Sequence, residues 1–408
     1  MSRVAHWTQN QSIDFYPTYI LRQLHQAPWS EFAITHFQIL SGSDRYANLI
    51  QWFSMIGSII GVSLIAKQLG AFSRGQIFTA VLSIPFPLAI LEATSTKNDY
   101  VVSFWLVCFI YFLMVMKKRI SFPYLLGAGC SLGLAILSKG TAYIFAFPFL
   151  IWCCFGVFKK SRAQFLKYVL VIAIVVISMN FGHYLRNFNL YGNPLGPGQE
   201  SPTMNGSHKY TNDAFSIATV TSNVIRNLAL YAGTPYVFIN EIIEDGAYSL
   251  HNLLGIDAND TRTTWSGTEF HIGKHSNDSG VNLVYIILII VSITFWLCST
   301  NKYEFKSKYL GRYVITLMIA SLLFCFVLKW QPWHSRLHLP VLVLLSPVIG
   351  TILSKSSYKK VANVIVSIMI LFLVQSVFFD SDRKVFGKGN TLWLHKNLTL
   401  QVIKGLRS

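Results

Sequence analysis

Ten runs of about 20 apolar residues divide this chain, at roughly 47–66, 76–94, 100–116, 122–138, 141–158, 165–185, 282–299, 312–328, 337–354 and 361–379. A helix of about 20 apolar residues spans the hydrocarbon core of a bilayer, and in lipid every backbone polar group must be satisfied within its own segment. The runs therefore predict an all-α polytopic membrane protein. Composition agrees, since 52% of the 408 residues are hydrophobic and only 12% are charged, against about 25% charge in soluble domains. The formal charge of +17 does not indicate nucleic acid, because that reading needs the basic residues gathered on one soluble face. Here they stand in short clusters between apolar runs.

Those clusters orient the chain. Lys67 and Arg74, then Lys117, Lys118 and Arg119, then Lys159, Lys160, Arg162 and Lys167, then Lys302, Lys306, Lys308 and Arg312, then Lys355, Lys359 and Lys360 occupy alternate short loops. By the positive-inside rule these loops are cytoplasmic. The loops edged by Asp99, Lys139 and Arg336, and the long segment from about 186 to 281, are then extracytoplasmic. The expected organisation is an external juxtamembrane segment at 1–46, six spans within 47–185, an external loop at 186–281, four spans within 282–379 and an external tail at 380–408. Ten spans place Met1 outside, yet residues 1–46 hold neither a signal peptide's basic and apolar regions nor a spanning run. A preceding transmembrane helix absent from this chain is the expectation; unaided translocation of a short polar terminus is the alternative.

Residues 1–46 interleave His6, Trp7, Tyr16, Trp29 and Phe32 with Arg3, Arg22 and Glu31, and Pro17 and Pro28 cut them into short pieces. Aromatic amphipathic helices at the interface suit that pattern. The long loop is rich in Asn, Ser, Thr and Gly, with an amphipathic stretch near 213–231 and acidic Glu241, Glu244 and Asp245, and is read as a lid or substrate-binding loop. Cys108, Cys130, Cys153, Cys154, Cys298 and Cys325 all fall in predicted spans and read as small apolar packers. No zinc spacing, phosphate-cradling glycine loop or hydrolase elbow is present.

The segment Thr94-Ser95-Thr96-Lys97-Asn98-Asp99-Tyr100 places a cation and a carboxylate at a turn between two spans. Ionisable groups near lipid are costly, so their default reading is functional; the alternative is a pair of solvated helix caps. Lys97, Lys139 and Arg336 share the predicted face with Asp99. Arg suits phosphate through its bidentate fork and Lys as a point charge. A carboxylate such as Asp99 can orient or deprotonate an acceptor hydroxyl, or help hold a divalent ion. His6, His334 and His338 are candidates for acceptor or sugar contacts, and Asp278 is either a site residue or an N-cap of the following span. For Arg336 the alternative is snorkelling beside Trp330 and Trp333, and for Lys139 a helix-end anchor.

These motifs, taken in order, carry a family resemblance. The run RVAHWTQNQSIDFYPTY from Arg3 to Tyr19, Pro28-Trp29-Ser30-Glu31-Phe32, Ser41-Gly42-Ser43-Asp44-Arg45, the Lys97 to Tyr100 turn, GLAILSKGT from Gly133 to Thr141, Arg186-Asn187 with Tyr191-Gly192-Asn193-Pro194, and Trp333 to Pro340 resemble a bacterial group of GT-C glycosyltransferases. That group is related to the protein mannosyltransferases and the lipid A aminoarabinose transferases. The resemblance implies a multi-pass enzyme of the bacterial inner membrane. It would move a sugar, with inversion, from a polyprenyl phosphate carrier to a glycan, lipid or protein acceptor on the extracytoplasmic face. It also implies that Asp99 matches the family's second acidic position, and that the main catalytic carboxylate lies upstream of Met1 with the missing helix, which makes this polypeptide's own activity a matter for test. A transporter would need broken or charged helices at mid-membrane and internal repeats; Pro85 and Pro87 break one span, but no repeat is visible. A polysaccharide polymerase or ligase would concentrate cations in the long loop, which is sparsely basic.

Overall fold

The computed structural model describes residues 1–84, 87–158, 162–197, 210–234, 236–272, 283–298, 309–355 and 359–378. Within them the chain runs through α1 (Ser2–Asn10), α2 (Arg22–His25), α3 (Trp29–Ser41), α4 (Leu49–Gln68), α5 (Ser73–Leu82), α6 (Pro87–Ala93), α7 (Asp99–Met116), α8 (Phe122–Ser138) and α9 (Thr141–Phe158). It continues through α10 (Arg162–Tyr191), α11 (Ile217–Tyr231), α12 (Val237–Leu254), α13 (Leu283–Cys298), α14 (Leu310–Val327), α15 (His334–Leu337), α16 (Leu339–Lys355) and α17 (Lys359–Phe378). The molecule is a polytopic helical membrane protein. Among the described residues four helices are long and apolar enough to cross a bilayer, at Asp44–Gln68, Asp99–Met116, Gln164–Tyr191 and Leu310–Val327. Five shorter apolar helices, Phe122–Ser138, Thr141–Gly156, Leu283–Cys298, Leu339–Lys355 and Lys360–Leu371, pack among them.

One expected span is not continuous. The run at 76–94 is divided into α5, ending at Leu82, and α6, starting at Pro87. Proline lacks the N–H an inner turn needs and is tolerated at a helix start. The break gives α6 its own short course, and its last turn carries Glu92 to the same end of the bundle as the N-terminus of α7.

The core lies where α4, α7, α8, α9, α14 and α16 meet, with Leu106, Phe109, Phe324 and Val343 fully buried. Helices α5 and α16 cross closely enough that a methyl group added at Gly350 would meet the Gly75 carbonyl oxygen at 2.9 Å and crowd Thr79. Small residues at such a crossing let backbones approach where lipid offers no hydrophobic drive. Hydroxyls in the spans return to their own helix: Ser58 donates to the Ser54 carbonyl at 2.8 Å and Ser103 to the Asp99 carbonyl at 2.7 Å. The outward faces are apolar, as at Ile174, Ile177 and Phe181 of α10.

Two smaller assemblies cover the site end of this bundle. In the first, Val4 of α1 and Ile34 of α3 pack together with Ala47, just before α4, and Arg3 ties α1 to α2 by donating to the Gln23 carbonyl at 2.6 Å. The second is residues 210–272. There α11 and α12 form an antiparallel hairpin, with Ser222 bonded to His251 at 3.0 Å and Thr234 to Asn240 across the turn. Backbone bonds from Trp330 to Thr263 and from Asn212 to Val327 lock this hairpin to the end of α14.

Candidate active site

The site begins with the N-terminus of α7. Gln51 of α4 is fully buried, and its side-chain oxygen accepts from the backbone N–H groups of Tyr100 at 2.8 Å and Val101 at 3.1 Å. A side chain from another helix thereby satisfies orphan donors of α7. Asn98, just before the helix, donates to the Ser138 carbonyl at 2.9 Å. That bond aligns the start of α7 with the turn between α8 and α9, where Lys139 follows.

The consequence is an ion pair. The Lys139 ammonium donates to the Asp99 carboxylate, which is 2% exposed. Asp99 is therefore not a solvated helix cap. Its carboxylate lies at the N-terminal end of α7, the positive end of that helix's dipole.

A second pair stands beside the first. Glu92, at the end of α6 and 1% exposed, accepts from Lys97 at 3.0 Å, and the Ser95 hydroxyl donates to its backbone oxygen at 2.9 Å. Glu92 lies within electrostatic reach of Asp99 and Lys139 as well, and Lys139 in turn feels Arg336. Two buried carboxylates, two half-buried ammonium groups and a nearby guanidinium thus share one locus. Helix α15, which carries Arg336, packs against α6. An open cavity of about 210 Å³, lined by Asn48, Leu49, Trp52, Ala93 and Thr94, adjoins the end of α6.

Sequence reasoning missed Glu92 and Gln51. A signal for Glu92 existed, since it is a lone acid at the end of an apolar run, and acids there are seldom idle. Gln51 carried no such signal. The Lys97 partner also differs from the simplest reading of the turn, in which Lys97 and Asp99 stand beside one another: each takes its partner from elsewhere.

The histidines are placed differently from one another. His334 of α15 is fully buried, bonded through Nδ1 to the Asn227 side-chain oxygen at 3.0 Å and edge-on to Phe324 at 4.9 Å. Burial pushes its basicity well below the usual histidine range, and His338 and Arg226 add to the effect. His338 lies over Phe324 at 3.9 Å and edge-on to Tyr231 at 5.1 Å. Both therefore join α15 to the hairpin and α14. His6 is on α1, exposed, and stacked on Tyr16 at 3.9 Å. Asp278 lies outside the described residues. Among the described residues no group of three or more His, Cys, Asp or Glu side chains is placed to hold a metal ion.

Arg226, fully buried, organises the hairpin beneath this region. Its guanidinium donates to the Ala258 carbonyl at 2.7 Å and the Asn223 side-chain oxygen at 2.6 Å, and lies over the Trp330 ring at 5.8 Å. Burial lowers its pKa to about 10. With neutral oxygens as its partners it braces the loop at 327–334 that leads to Arg336.

Residues 25–182 match the family model for dolichyl-phosphate-mannose-protein mannosyltransferases. Glu92, Lys97, Asp99 and Lys139 all lie within that match; Arg336 and the three histidines lie outside it. The crystal structure of ArnT from Cupriavidus metallidurans bound to undecaprenyl phosphate superimposes with a TM-score of 0.52 at 14% identity, covering 90% of this chain and 57% of that one. The chain has an ArnT-like fold. The same ArnT in its apo state is a further match, with a TM-score of 0.41 at 13% identity over 92% of this chain and 71% of that one. The chain spans 57% of the length of the ArnT structure that it superimposes on with the higher score. Among curated protein sequences none matches this chain.

Proposed function

We propose that the chain moves a sugar from a polyprenyl phosphate carrier to an acceptor on the extracytoplasmic side of a bacterial inner membrane, with inversion at the anomeric carbon. The observation that carries this reading is the pair of buried carboxylates Glu92 and Asp99, each ion-paired to a half-buried lysine, Lys97 and Lys139, with Arg336 in electrostatic reach. The bond from the anomeric carbon to the carrier phosphate oxygen breaks, and the phosphate leaves with the electron pair. Its charge is met by Lys139, Lys97 and Arg336, which act most strongly where water is scarce. The acceptor hydroxyl forms the new bond from the opposite face, and its proton passes to a carboxylate. Asp99, paired with Lys139, orients that hydroxyl or receives the proton. His6, His334, His338 and Asp278 are assigned to acceptor or sugar contacts, His334 and His338 by shaping the wall that bears Arg336. ArnT was crystallised with a polyprenyl phosphate, which supports this donor class.

The test is donor consumption. Membranes containing the chain are incubated with radiolabelled polyprenyl phosphate sugars and a mixture of lipid and peptide acceptors. Wild type should release carrier phosphate and transfer label, and Asp99→Asn should not. Equal donor consumption by both would overturn the reading.

A further inference from the structure

Helix α12 has three sides. Its inner side packs Asn240, Ala247 and His251 against the hairpin. Of the two outer sides, one carries Phe238, Ile242, Leu250 and Leu253, exposed by 71%, 55%, 49% and 82%. At 3.6 residues per turn these four fall within about 120° of arc. The other outer side carries Glu241, Asp245 and Asn252, all exposed and within about 40° of one another. A helix floating in water has no use for a continuous apolar side next to an acidic one, and exposed apolar patches of this kind mark contact surfaces.

The apolar side continues a surface whose partner is known. On α14, Ile315, Met318, Leu322 and Phe326 are exposed at a spacing of three and four residues, the outward stripe of a helix long and apolar enough to cross the bilayer. At the end of that stripe Phe326 meets Phe215 at 5.1 Å. Phe215, two residues before α11, and Ile217, its first residue, are themselves exposed. Because α11 and α12 are antiparallel, with Ser222 against His251, the Leu253 end of α12 lies at the Ile217 end of α11.

We infer that the apolar side of α12, together with Phe215 and Ile217, rests in the headgroup and upper acyl region of the bilayer leaflet at the site end of the bundle. The acidic side of α12 then faces water, away from the lipid phosphates, which suits an amphipathic helix lying in the interface plane. Tyr236, exposed at the start of α12, supplies an amphipathic ring at headgroup level. The lipid surface thus fixes the height of the hairpin that braces Arg336.

The experiment uses the full chain in nanodiscs, with its six native cysteines replaced and single nitroxide labels at Phe238→Cys, Ile242→Cys, Leu253→Cys, Asp245→Cys and Asn252→Cys. Power saturation should show an oxygen-to-nickel-chelate accessibility ratio at least about threefold higher at the first three positions than at the last two, the contrast an interfacial helix produces. Equal ratios would overturn the inference. So would spin–spin broadening at Leu253 that disappears on dilution with unlabelled protein, which assigns the face to a second copy. Wild-type protein gives an independent reading: lipids bearing a photoreactive group near the headgroup should crosslink to peptides of α12, and crosslinks confined to the transmembrane helices would sink the proposal.

Discussion

Lys139, in the turn between α8 and α9, is ion-paired with Asp99 at the first position of α7, and the bond from Asn98 to the Ser138 carbonyl sets the two elements in register. Removing one partner of a buried pair strands the other charge, at about 3–5 kcal/mol. Lys139→Met should therefore lower thermal stability in detergent markedly, and Asp99→Asn combined with Lys139→Met should recover much of it. Sugar transfer should stay low in both, with Asp99→Asn alone about 100-fold down. A Lys139→Met protein that melts with the wild type would show that the pair is not formed.

Glu92 and Lys97 are predicted to act as one unit, since their contact is 3.0 Å with Glu92 buried. Glu92→Gln and Lys97→Gln should each reduce kcat/KM for transfer about tenfold, and the double variant should fall no further than the worse single, as coupled neighbours do. Additive losses would mean that the two residues serve separate steps.

Arg336 stands within reach of Lys139 on a helix packed against α6. If it grips the carrier phosphate through its fork, Arg336→Lys should already weaken polyprenyl phosphate binding by purified protein in nanodiscs, and Arg336→Ala should weaken it more. Identical affinities across the three proteins, with reduced stability, would leave it as an interfacial anchor.

His25 joins the N-terminal assembly to α10: its backbone carbonyl accepts from Asn187 at 3.2 Å and its ring meets Tyr191 edge-on. Burial, with the Arg3 charge adding to it, lowers its pKa from 6.5 to about 4. A depressed histidine pKa means that the undocked segment takes up the proton first. Docking is then fully stable above about pH 6.5 and weakens as pH falls toward 4. Hydrogen exchange of residues 20–30 should accelerate between pH 7 and pH 5 in wild type and change little in His25→Gln after correction for intrinsic rates. A pH-independent docking in wild type would refute the assignment.

Gly350 meets Gly75 and Thr79 at the crossing of α5 and α16. Gly350→Val inserts bulk where backbone cannot recede, and overpacking of this kind costs about 1–3 kcal/mol. The variant should melt several degrees lower, while Gly156→Val, at a position with open space around it, should not. Equal melting of the two would mean that the helices separate without cost.

The apolar runs and their charge scarcity were sufficient for the helical membrane class, because satisfying backbone groups in lipid leaves few alternatives. The order of short motifs pointed to the GT-C likeness that the family match and the ArnT-like fold support. What the linear chain could not state was pairing. Asp99 and Lys97 are neighbours in sequence, yet Asp99 meets Lys139, forty residues on, while Lys97 turns back to Glu92. Gln51 looks like an ordinary polar residue at the start of a span until the packing of α4 on α7 sets its side chain against two backbone N–H groups. His334 and His338 read as free polar candidates and prove to be buried among Phe324, Tyr231 and Asn227. Periodicity and charge are local properties, so class, helices and shared face can be read from residue order. Which cation neutralises which carboxylate depends on where helices cross, and that is decided only when the whole core packs.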